Sequence, residues 1–112
     1  MLGIIGAMDE EVAMIKAQLT DVQVESRAAM DFYKGKLEGK EVVVVRSGIG
    51  KVNAAMCTQI LADIYGVTGV VNTGIAGSLK AEIDIGDIVL SSDALQHDMD
   101  ATGFGYEPGQ IP

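Results

Sequence analysis

Most of the chain consists of short apolar runs separated by glycine-rich breaks. Continuous apolar runs are typical of strands that are buried on both faces, since strands exposed on one face alternate apolar and polar residues. Alternation from residue 30 to residue 40 predicts a further strand, which enters a turn at Glu38-Gly39. The strands predicted from continuous runs are Leu2–Gly6 and residues 41–46, 67–72 and 87–90.

Two segments instead space their apolar residues as a helix does. The first helix is predicted from residue 9 to residue 19, with Val12, Ile15 and Leu19 on one face. The second is predicted from residue 51 to residue 65. Its predicted buried stripe consists of Val52, Met56, Ile60 and Ile64.

The order of these elements is strand, helix, hairpin, helix, strand, strand. This order predicts the α/β class, with a mixed or mostly parallel central sheet flanked by helices and with loops gathered at the carboxyl ends of its strands. No helix is predicted after the last strand, and residues 91–112 are polar and acidic with little periodicity. A sheet left uncovered in this way is prone to association, so we expect a truncated chain.

Composition and charge narrow the possible partners. The 112 residues are 48% hydrophobic but include only two phenylalanines, three tyrosines and no tryptophan, so the core is expected to be aliphatic. The net charge of −8 argues against a nucleic acid and against an anionic membrane surface, because both need a basic patch. A small molecule is the expected ligand.

The presence of a single cysteine indicates a reducing cellular compartment. Cys57 has no partner for a disulfide and lies in a predicted helix, so we expect a buried, inert thiol and a reducing environment. The first apolar run is too short for a signal peptide and lacks a basic leader. We therefore expect a cytoplasmic protein.

Three consecutive carboxylates open the first predicted helix. Asp9, Glu10 and Glu11 follow a strand that ends on Gly6, so they lie at the mouth of the sheet, where α/β folds bind their ligands. Acidic residues in a first helical turn also favour the positive end of the helix dipole. Position alone therefore leaves a structural and a chemical role open.

Other loops carry weaker chemical signals. Gly48-x-Gly50 lacks the third glycine and the downstream acid of a dinucleotide fingerprint, and Lys51 lacks the spacing of a P-loop, so a tight strand-to-helix turn is predicted. His97 with Asp98 and Asp100 lacks the second histidine of a common metal site, and no metal or other cofactor is expected.

Five segments, in order and at matching spacing, resemble one family. They are GIIGAMDEEV at residues 3–12, SGIGKVNAA at 47–55, NTGIAG at 72–77, GDIV at 86–89 and HDMDATGFGYEPGQIP at 97–112. The family is that of the bacterial 5′-methylthioadenosine/S-adenosylhomocysteine nucleosidases, within the purine nucleoside phosphorylase superfamily. Its members are about twice as long, so the chain resembles the N-terminal half, residues 1–112 being the N-terminal part of a single nucleoside phosphorylase-like domain.

The resemblance implies a function and a site. It implies hydrolysis of the N-glycosidic bond of methylthioadenosine and S-adenosylhomocysteine in methionine salvage, by a homodimer with a mixed-sheet fold. By position, Glu11 is similar to the acid that activates the attacking water. Residues that match substrate-binding positions are Ala7 and Met8 beside the ribose, Ile49 at the 5′-thio group, and Ile75, Ala76 and Gly77 beside the nucleoside. Residues that match a lip lent to the neighbouring subunit's site are Phe104, Tyr106 and Pro112.

The resemblance also implies what these residues lack. In the family, the acid that protonates adenine and a glutamate that holds the ribose hydroxyls lie in the C-terminal half, so the 112-residue chain alone is expected to be inactive. Ile75 stands where some relatives carry a serine, and isoleucine cannot hold the water through a hydrogen bond. Hydrolysis is favoured over phosphorolysis, because phosphate sites need arginines and only Arg27 and Arg46 are present.

Two alternatives remain beside this interpretation. One is another purine nucleoside hydrolase or phosphorylase of the superfamily, such as an enzyme acting on futalosine-type nucleosides. The other is a non-catalytic half-domain that dimerises.

Overall fold

A computed structural model describes residues 1–112, which divide into a first unit, Met1–Ala76, and a second unit, Gly77–Pro112. The first unit contains all the strands and both α-helices. In chain order these are β1 (Leu2–Gly6), α1 (Asp9–Ala17), β2 (Thr20–Arg27), β3 (Met30–Leu37), β4 (Lys40–Arg46), α2 (Lys51–Asp63) and β5 (Gly69–Asn72). Neither helix combines the length and the apolar character needed to cross a membrane.

The five strands form one mixed sheet in the order β2-β3-β4-β1-β5. β1 lies in the interior of the sheet and runs parallel to β4 and β5, with Ile4 opposite Val44 on one side and Val71 on the other. β2, β3 and β4 are antiparallel neighbours. The predicted mixed α/β sheet is confirmed, and the carboxyl ends of β1, β4 and β5 meet at one edge.

The consecutive valines of β4 supply the core on both faces of the sheet. Val43 and Val45 belong to one cluster of buried side chains, and Val42 and Val44 belong to another. The first cluster is completed by Ile5, Met30, Phe32, Cys57 and Leu61, and the second by Ile4 and Val12. Because Leu61 comes from α2 and Val12 from α1, the two helices cover opposite faces, as expected for a continuous apolar strand.

The predicted buried stripe of α2 is wrong at three of its four positions, whereas Ile60 is partly buried and packs against the first cluster. Val52 is 82% exposed, Met56 39% and Ile64 53%, whereas Cys57 and Leu61 are completely buried. The reason lies in β1: a Cβ added to Gly3 would lie 2.8 Å from Cδ1 of Leu61, so the leucine occupies the space that this glycine leaves. The helix is rotated to insert Leu61 there.

The strand β2 was not predicted. All eight of its residues are exposed and most are polar, so its apolar signal is limited to Val22 and Val24, and its pairing with β3 defines it. The structure also shortens three predicted elements: α1 ends at Ala17, α2 ends at Asp63 and β5 begins at Gly69. β5 was predicted to be buried, but Val70 and Val71 are 40% and 49% exposed, because it is an edge strand.

The second unit contains no strand, so the strand predicted at residues 87–90 is wrong. Asp87 instead closes a turn in which its N–H donates to the carbonyl of Asp84 and its carboxylate accepts from the N–H of Asp84. No neighbouring strand supplies the ladder of hydrogen bonds that an extended run needs. Ile88 and Leu90 are accordingly about nine-tenths exposed.

Backbone hydrogen bonds hold residues 96–109 as a closed loop within the second unit. The N–H of Gln96 donates to the carbonyl of Gly109, and the N–H of Gly109 donates to the carbonyl of Met99. Inside the loop, a short 3-10 helix covers Thr102–Phe104, and Ala101 before it is buried. The loop thus presents Phe104 and Tyr106 on a braced backbone.

Candidate active site

Three loops leave the carboxyl-end edge of the sheet, after β1, β4 and β5. The N–H of Ser47 donates to the carbonyl of Gly6 at 2.9 Å, and the N–H of Thr73 donates to the carbonyl of Ile5 at 2.8 Å. These bonds extend the parallel pairing past the ends of β4 and β5, so the three loops begin at the same edge. The predicted gathering of loops at this edge is confirmed for β1, β4 and β5.

Glu11 turns its carboxylate back over the start of its own helix. Oε2 accepts hydrogen bonds from the backbone N–H groups of Ala7, at 2.7 Å, and Met8, at 3.1 Å. Met8 is the extended residue that precedes α1, so its bond is half of a capping box, in which an acid at the third helical position accepts from the cap. These two bonds anchor Oε2, and Oε1 takes part in neither of them.

Two glycines surround this carboxylate. A Cβ added to Gly74, in the loop after β5, would lie 2.7 Å from Oε1 of Glu11 and 3.1 Å from Cδ. A Cβ added to Gly6 would lie 3.0 Å from Cβ of Glu11 and 2.7 Å from Cγ1 of Val12. The carboxylate is therefore held between the end of β1 and the loop after β5, where it remains partly exposed.

Asp9, in the same helical turn, is engaged differently. Its Oδ2 lies 3.3 Å from Nη1 of Arg46, and its Oδ1 lies 3.8 Å from Nζ of Lys16. The ammonium group of Lys16 lies 4.4 Å from the centre of the Tyr33 ring. Asp9 thus forms ion pairs, whereas Glu11 is held by neutral N–H groups and can still attract a positive charge.

The loop after β4 is the tight strand-to-helix turn predicted for it. Gly48 and Gly50 have positive φ angles of 85° and 101°, which favour glycine, and Gly50 precedes the first residue of α2. The side-chain amide of Asn53 donates to the carbonyl of Ile49 at 2.8 Å and braces the turn. The Ile49 side chain is 74% exposed at the edge of the sheet.

The structure brings some of the residues expected from the resemblance together. Ala7 and Met8 contact Glu11 directly, and Ile75 and Ala76 follow Gly74, whose backbone adjoins the Glu11 carboxylate. Gly77, Phe104, Tyr106 and Pro112 belong to the second unit, in which Phe104 is 88% exposed and Tyr106 37%. Sequence reasoning missed Gly74 and Arg46, whose contacts arise only when β5 and β4 join β1.

The arrangement suits proton transfer and charge stabilisation. A carboxylate with one oxygen fixed by two N–H donors can accept a proton from water through the other oxygen, and it can stabilise positive charge on a bound sugar. No group of three or more His, Cys, Asp or Glu side chains in the chain is placed to hold a metal ion. The chemistry that Glu11 can perform is acid–base and electrostatic.

Comparison with known proteins relates the chain to one family of enzymes. The sequence model of the phosphorylase superfamily matches residues 1–112. The chain is 52% identical to the 5′-methylthioadenosine/S-adenosylhomocysteine nucleosidase of Staphylococcus haemolyticus over 112 residues, which is 100% of this chain and 49% of the relative. It is 51% identical to the corresponding nucleosidase of a Marinomonas species, covering 100% of this chain and 48% of the relative.

Solved structures of proteins from the same family superpose closely on this chain. The nucleosidase of Colwellia psychrerythraea, in complex with adenine, superposes with a TM-score of 0.95 at 53% identity, covering 99% of this chain and 46% of that one. A futalosine hydrolase of Helicobacter pylori superposes with a TM-score of 0.88 at 34% identity, covering 99% and 48%. The chain spans about half the length of the relatives it matches. Across that half the resemblance to the nucleosidases is confirmed, and the chain belongs to the phosphorylase superfamily.

Proposed function

We propose that the protein hydrolyses the N-glycosidic bond of 5′-methylthioadenosine and S-adenosylhomocysteine and releases adenine. The observation that carries the proposal is the Glu11 carboxylate, whose Oε2 is anchored by the N–H groups of Ala7 and Met8 while Oε1 takes no part in those bonds. Its place at the carboxyl-end edge of an α/β sheet supports a ligand site. The 52% identity to a methylthioadenosine/S-adenosylhomocysteine nucleosidase supports the substrate class.

In this proposal Glu11 is the general base. Oε1 accepts a proton from water as the water oxygen forms a bond to the anomeric carbon, and the bond between that carbon and the adenine nitrogen breaks. The electron pair leaves with adenine, which takes up a proton from a separate acid. Positive charge develops on the sugar during this step, and the remaining negative charge of the carboxylate stabilises it.

Water is proposed as the nucleophile in preference to phosphate. Phosphate sites are built from arginines that present several free donors. Here Arg46 pairs with Asp9 at 3.3 Å, and Arg27 pairs with Glu25 at 2.9 Å. Both arginines of the chain are therefore engaged with carboxylates, and Glu11 at the same edge repels an anion.

The remaining assignments complete the proposal. We propose that the substrate contacts Ala7, Met8, Ile49, Ile75, Ala76 and Gly77, and that Phe104, Tyr106 and Pro112 contribute to the site of the neighbouring subunit in a homodimer. Residues 1–112 would be the N-terminal part of one domain, with the acid for adenine and the glutamate for ribose in the other part. The 112-residue chain alone would then be inactive. A cytoplasmic role in methionine salvage fits this substrate and the lone, buried Cys57.

Intact mass and adenine release, measured on one sample purified from the natural source, test the proposal. A mass near twice 11.7 kDa with adenine released from methylthioadenosine is the expected result. A mass of 11.7 kDa with no release favours a non-catalytic, dimerising half-domain. Release by a chain of 11.7 kDa contradicts the proposed division of the catalytic groups.

A second candidate is hydrolysis of a futalosine-type nucleoside. It is favoured by the structural likeness to the futalosine hydrolase of Helicobacter pylori, although the 34% identity is lower than the 53% found for the Colwellia nucleosidase. Thermal stabilisation distinguishes the two, because at equal concentration the ligand that binds the folded state more tightly raises the melting temperature more. Greater stabilisation by methylthioadenosine than by futalosine or inosine supports the first proposal, and the reverse order supports the second.

A further inference from the structure

We propose that Gly74 is a positioning residue for the Glu11 carboxylate, fixing it through the absence of a side chain. This inference rests on the proposed function for its catalytic meaning. The effect of Gly74 on the positions of Oε1 and Oε2 can be tested without measuring enzyme activity.

The space beside Gly74 is specific to Glu11. The three atoms nearest to a Cβ at residue 74 all belong to the carboxyl group: Oε1 at 2.7 Å, Cδ at 3.1 Å and Oε2 at 3.5 Å. Carbon and oxygen atoms that are not bonded do not approach to 2.7 Å, so a methyl group here displaces the carboxylate. The conflict is with the end of a flexible side chain, so the carboxylate moves while the backbone stays.

That displacement removes a defined pair of contacts. Oε2 is anchored at 2.7 Å and 3.1 Å by two N–H groups, and a carboxylate pushed away from residue 74 cannot keep both distances. Oε1 moves with it, since the carboxyl group is rigid. A displacement of about 1 Å can cost on the order of 10²-fold in rate, because proton transfer requires the base within hydrogen-bonding distance of the water.

A substitution at Gly6 would not test the placement of the carboxylate alone. A Cβ there would lie 2.7 Å from Cγ1 of Val12, which is completely buried, so the substitution disturbs the core as well as the site. Gly74 is exposed, and the three atoms nearest to its added methyl group all belong to Glu11. Gly103 provides the matched control, because a Cβ added there meets nothing within 4 Å.

Amide hydrogen exchange in the complete protein, followed by NMR, tests the placement directly. In Gly74→Ala, the amides of Ala7 and Met8 are expected to exchange at least about tenfold faster, while the amide of Leu61 in the core keeps its rate. Glu11→Ala removes both hydrogen bonds to the carboxylate and so gives the fastest exchange expected at Ala7 and Met8. Gly103→Ala is expected to leave all these rates unchanged. Unchanged exchange at Ala7 and Met8 in Gly74→Ala overturns the proposal, as does an equal acceleration at Leu61.

Kinetics in the complete enzyme test the catalytic consequence. Gly74→Ala is expected to lower kcat about 10²-fold with KM changed less than about threefold, because the base moves while the binding surface stays. Glu11→Asp shortens the side chain and makes room for the methyl group, so adding Gly74→Ala to that variant has little further effect. An equal loss in both backgrounds overturns the proposal. Absence of adenine release from the parent enzyme refutes the proposed function, and the exchange experiment still decides the role of Gly74.

Discussion

Nη1 of Arg46, at the end of β4, lies 3.3 Å from Oδ2 of Asp9, in the first turn of α1. The ion pair thus links the strand beside β1 to the helix that follows β1. The side chains are 52% and 66% exposed, so water and salt screen the charges. Such pairs contribute at most about 1 kcal/mol to stability.

Arg46→Gln is therefore expected to lower the free energy of unfolding by less than about 1 kcal/mol. The difference from the parent should shrink in about 1 M salt, where charges are screened within about 3 Å. Urea unfolding at low and high salt measures both effects, and Asp9→Asn with the double variant completes a mutant cycle. A loss above about 2 kcal/mol, or one that salt does not change, would contradict this view of the pair.

Glu11→Gln is expected to reduce adenine release by the complete enzyme about 10²- to 10⁴-fold, since an amide cannot accept the proton from water. The fold should persist, because the amide oxygen can still accept from the N–H groups of Ala7 and Met8. Glu10→Gln, in the same helical turn, is the control for a general change in charge. Steady-state kinetics with circular dichroism checks both points, and a near-normal rate in Glu11→Gln refutes its role.

Phe104→Ala is expected to raise KM for methylthioadenosine roughly tenfold while kcat changes little, because it removes apolar contact with the 5′-thio group and leaves the reacting atoms untouched. The phenyl ring is 88% exposed in the second unit, so its loss should not affect folding. Leu95→Ala, another exposed apolar residue of that unit, is the control. An unchanged KM argues against a pocket role for Phe104.

The turn between β2 and β3 stores strain that a single substitution can release. Arg27 pairs with Met30 across Ala28 and Ala29, whose φ angles are 49° and 60°. Because this region is costly for a residue with a side chain, Ala29→Gly is expected to stabilise the protein by about 0.5–1 kcal/mol.

An alanine-to-glycine substitution inside a helix should instead lower the stability of the protein. Ala13 is exposed in the middle of α1, and Ala13→Gly is expected to cost about 1 kcal/mol, since glycine lowers helix propensity. Urea unfolding of the two variants beside the parent gives both values. A loss of stability in Ala29→Gly would show that the turn is not strained as its φ angles indicate.

Burial raises the pKa of the Cys57 thiol from 9.0 to about 11. Only the thiolate reacts with disulfide reagents, so labelling at pH 8 should be slow and should accelerate when urea unfolds the chain. Val52→Cys, at a position that is 82% exposed, provides a second thiol that should react at once. Rapid labelling of two thiols per folded chain in that variant would contradict the burial of Cys57.

The raised pKa also predicts how stability depends on pH. The unfolded chain loses the thiol proton near pH 9, whereas the folded chain keeps it until about pH 11. The contribution of Cys57 is thus complete below pH 9 and is lost as pH rises towards 11. Cys57→Ala lacks this group, so its stability should fall less over that range than the stability of the parent.

Local signals were enough to predict the elements that position Glu11. The run Leu2–Gly6 forms β1 as predicted, and the acids after it begin α1 at Asp9. The side of α2 that faces the sheet was predicted correctly only at Ile60, because Val52 and Met56 continue an apolar stripe from it as well as Cys57 and Leu61 do. The space above Gly3, which belongs to a different element, decides between the two stripes.

Contacts between distant elements also explain what was missed at the site. Glu11 was singled out by the family resemblance, but the glycine beside its carboxylate, Gly74, lies far along the chain. No local pattern distinguishes Gly74 from the other glycines of its loop. Likewise, β2 has only two apolar residues, Val22 and Val24, and its pairing with β3 defines it as a strand.

The central place of β1 has a consequence for synthesis on the ribosome. β1 precedes both of its partners in the chain, and Leu2 pairs with Gly69 on one side and Val42 on the other. The β2-β3-β4 meander needs only neighbouring residues, so it can form while β1 still lacks one partner. Ile4 and Ile5 can pair on the β5 side only after residues 69–72 have left the ribosome, so that side of β1 is without its partner strand until then.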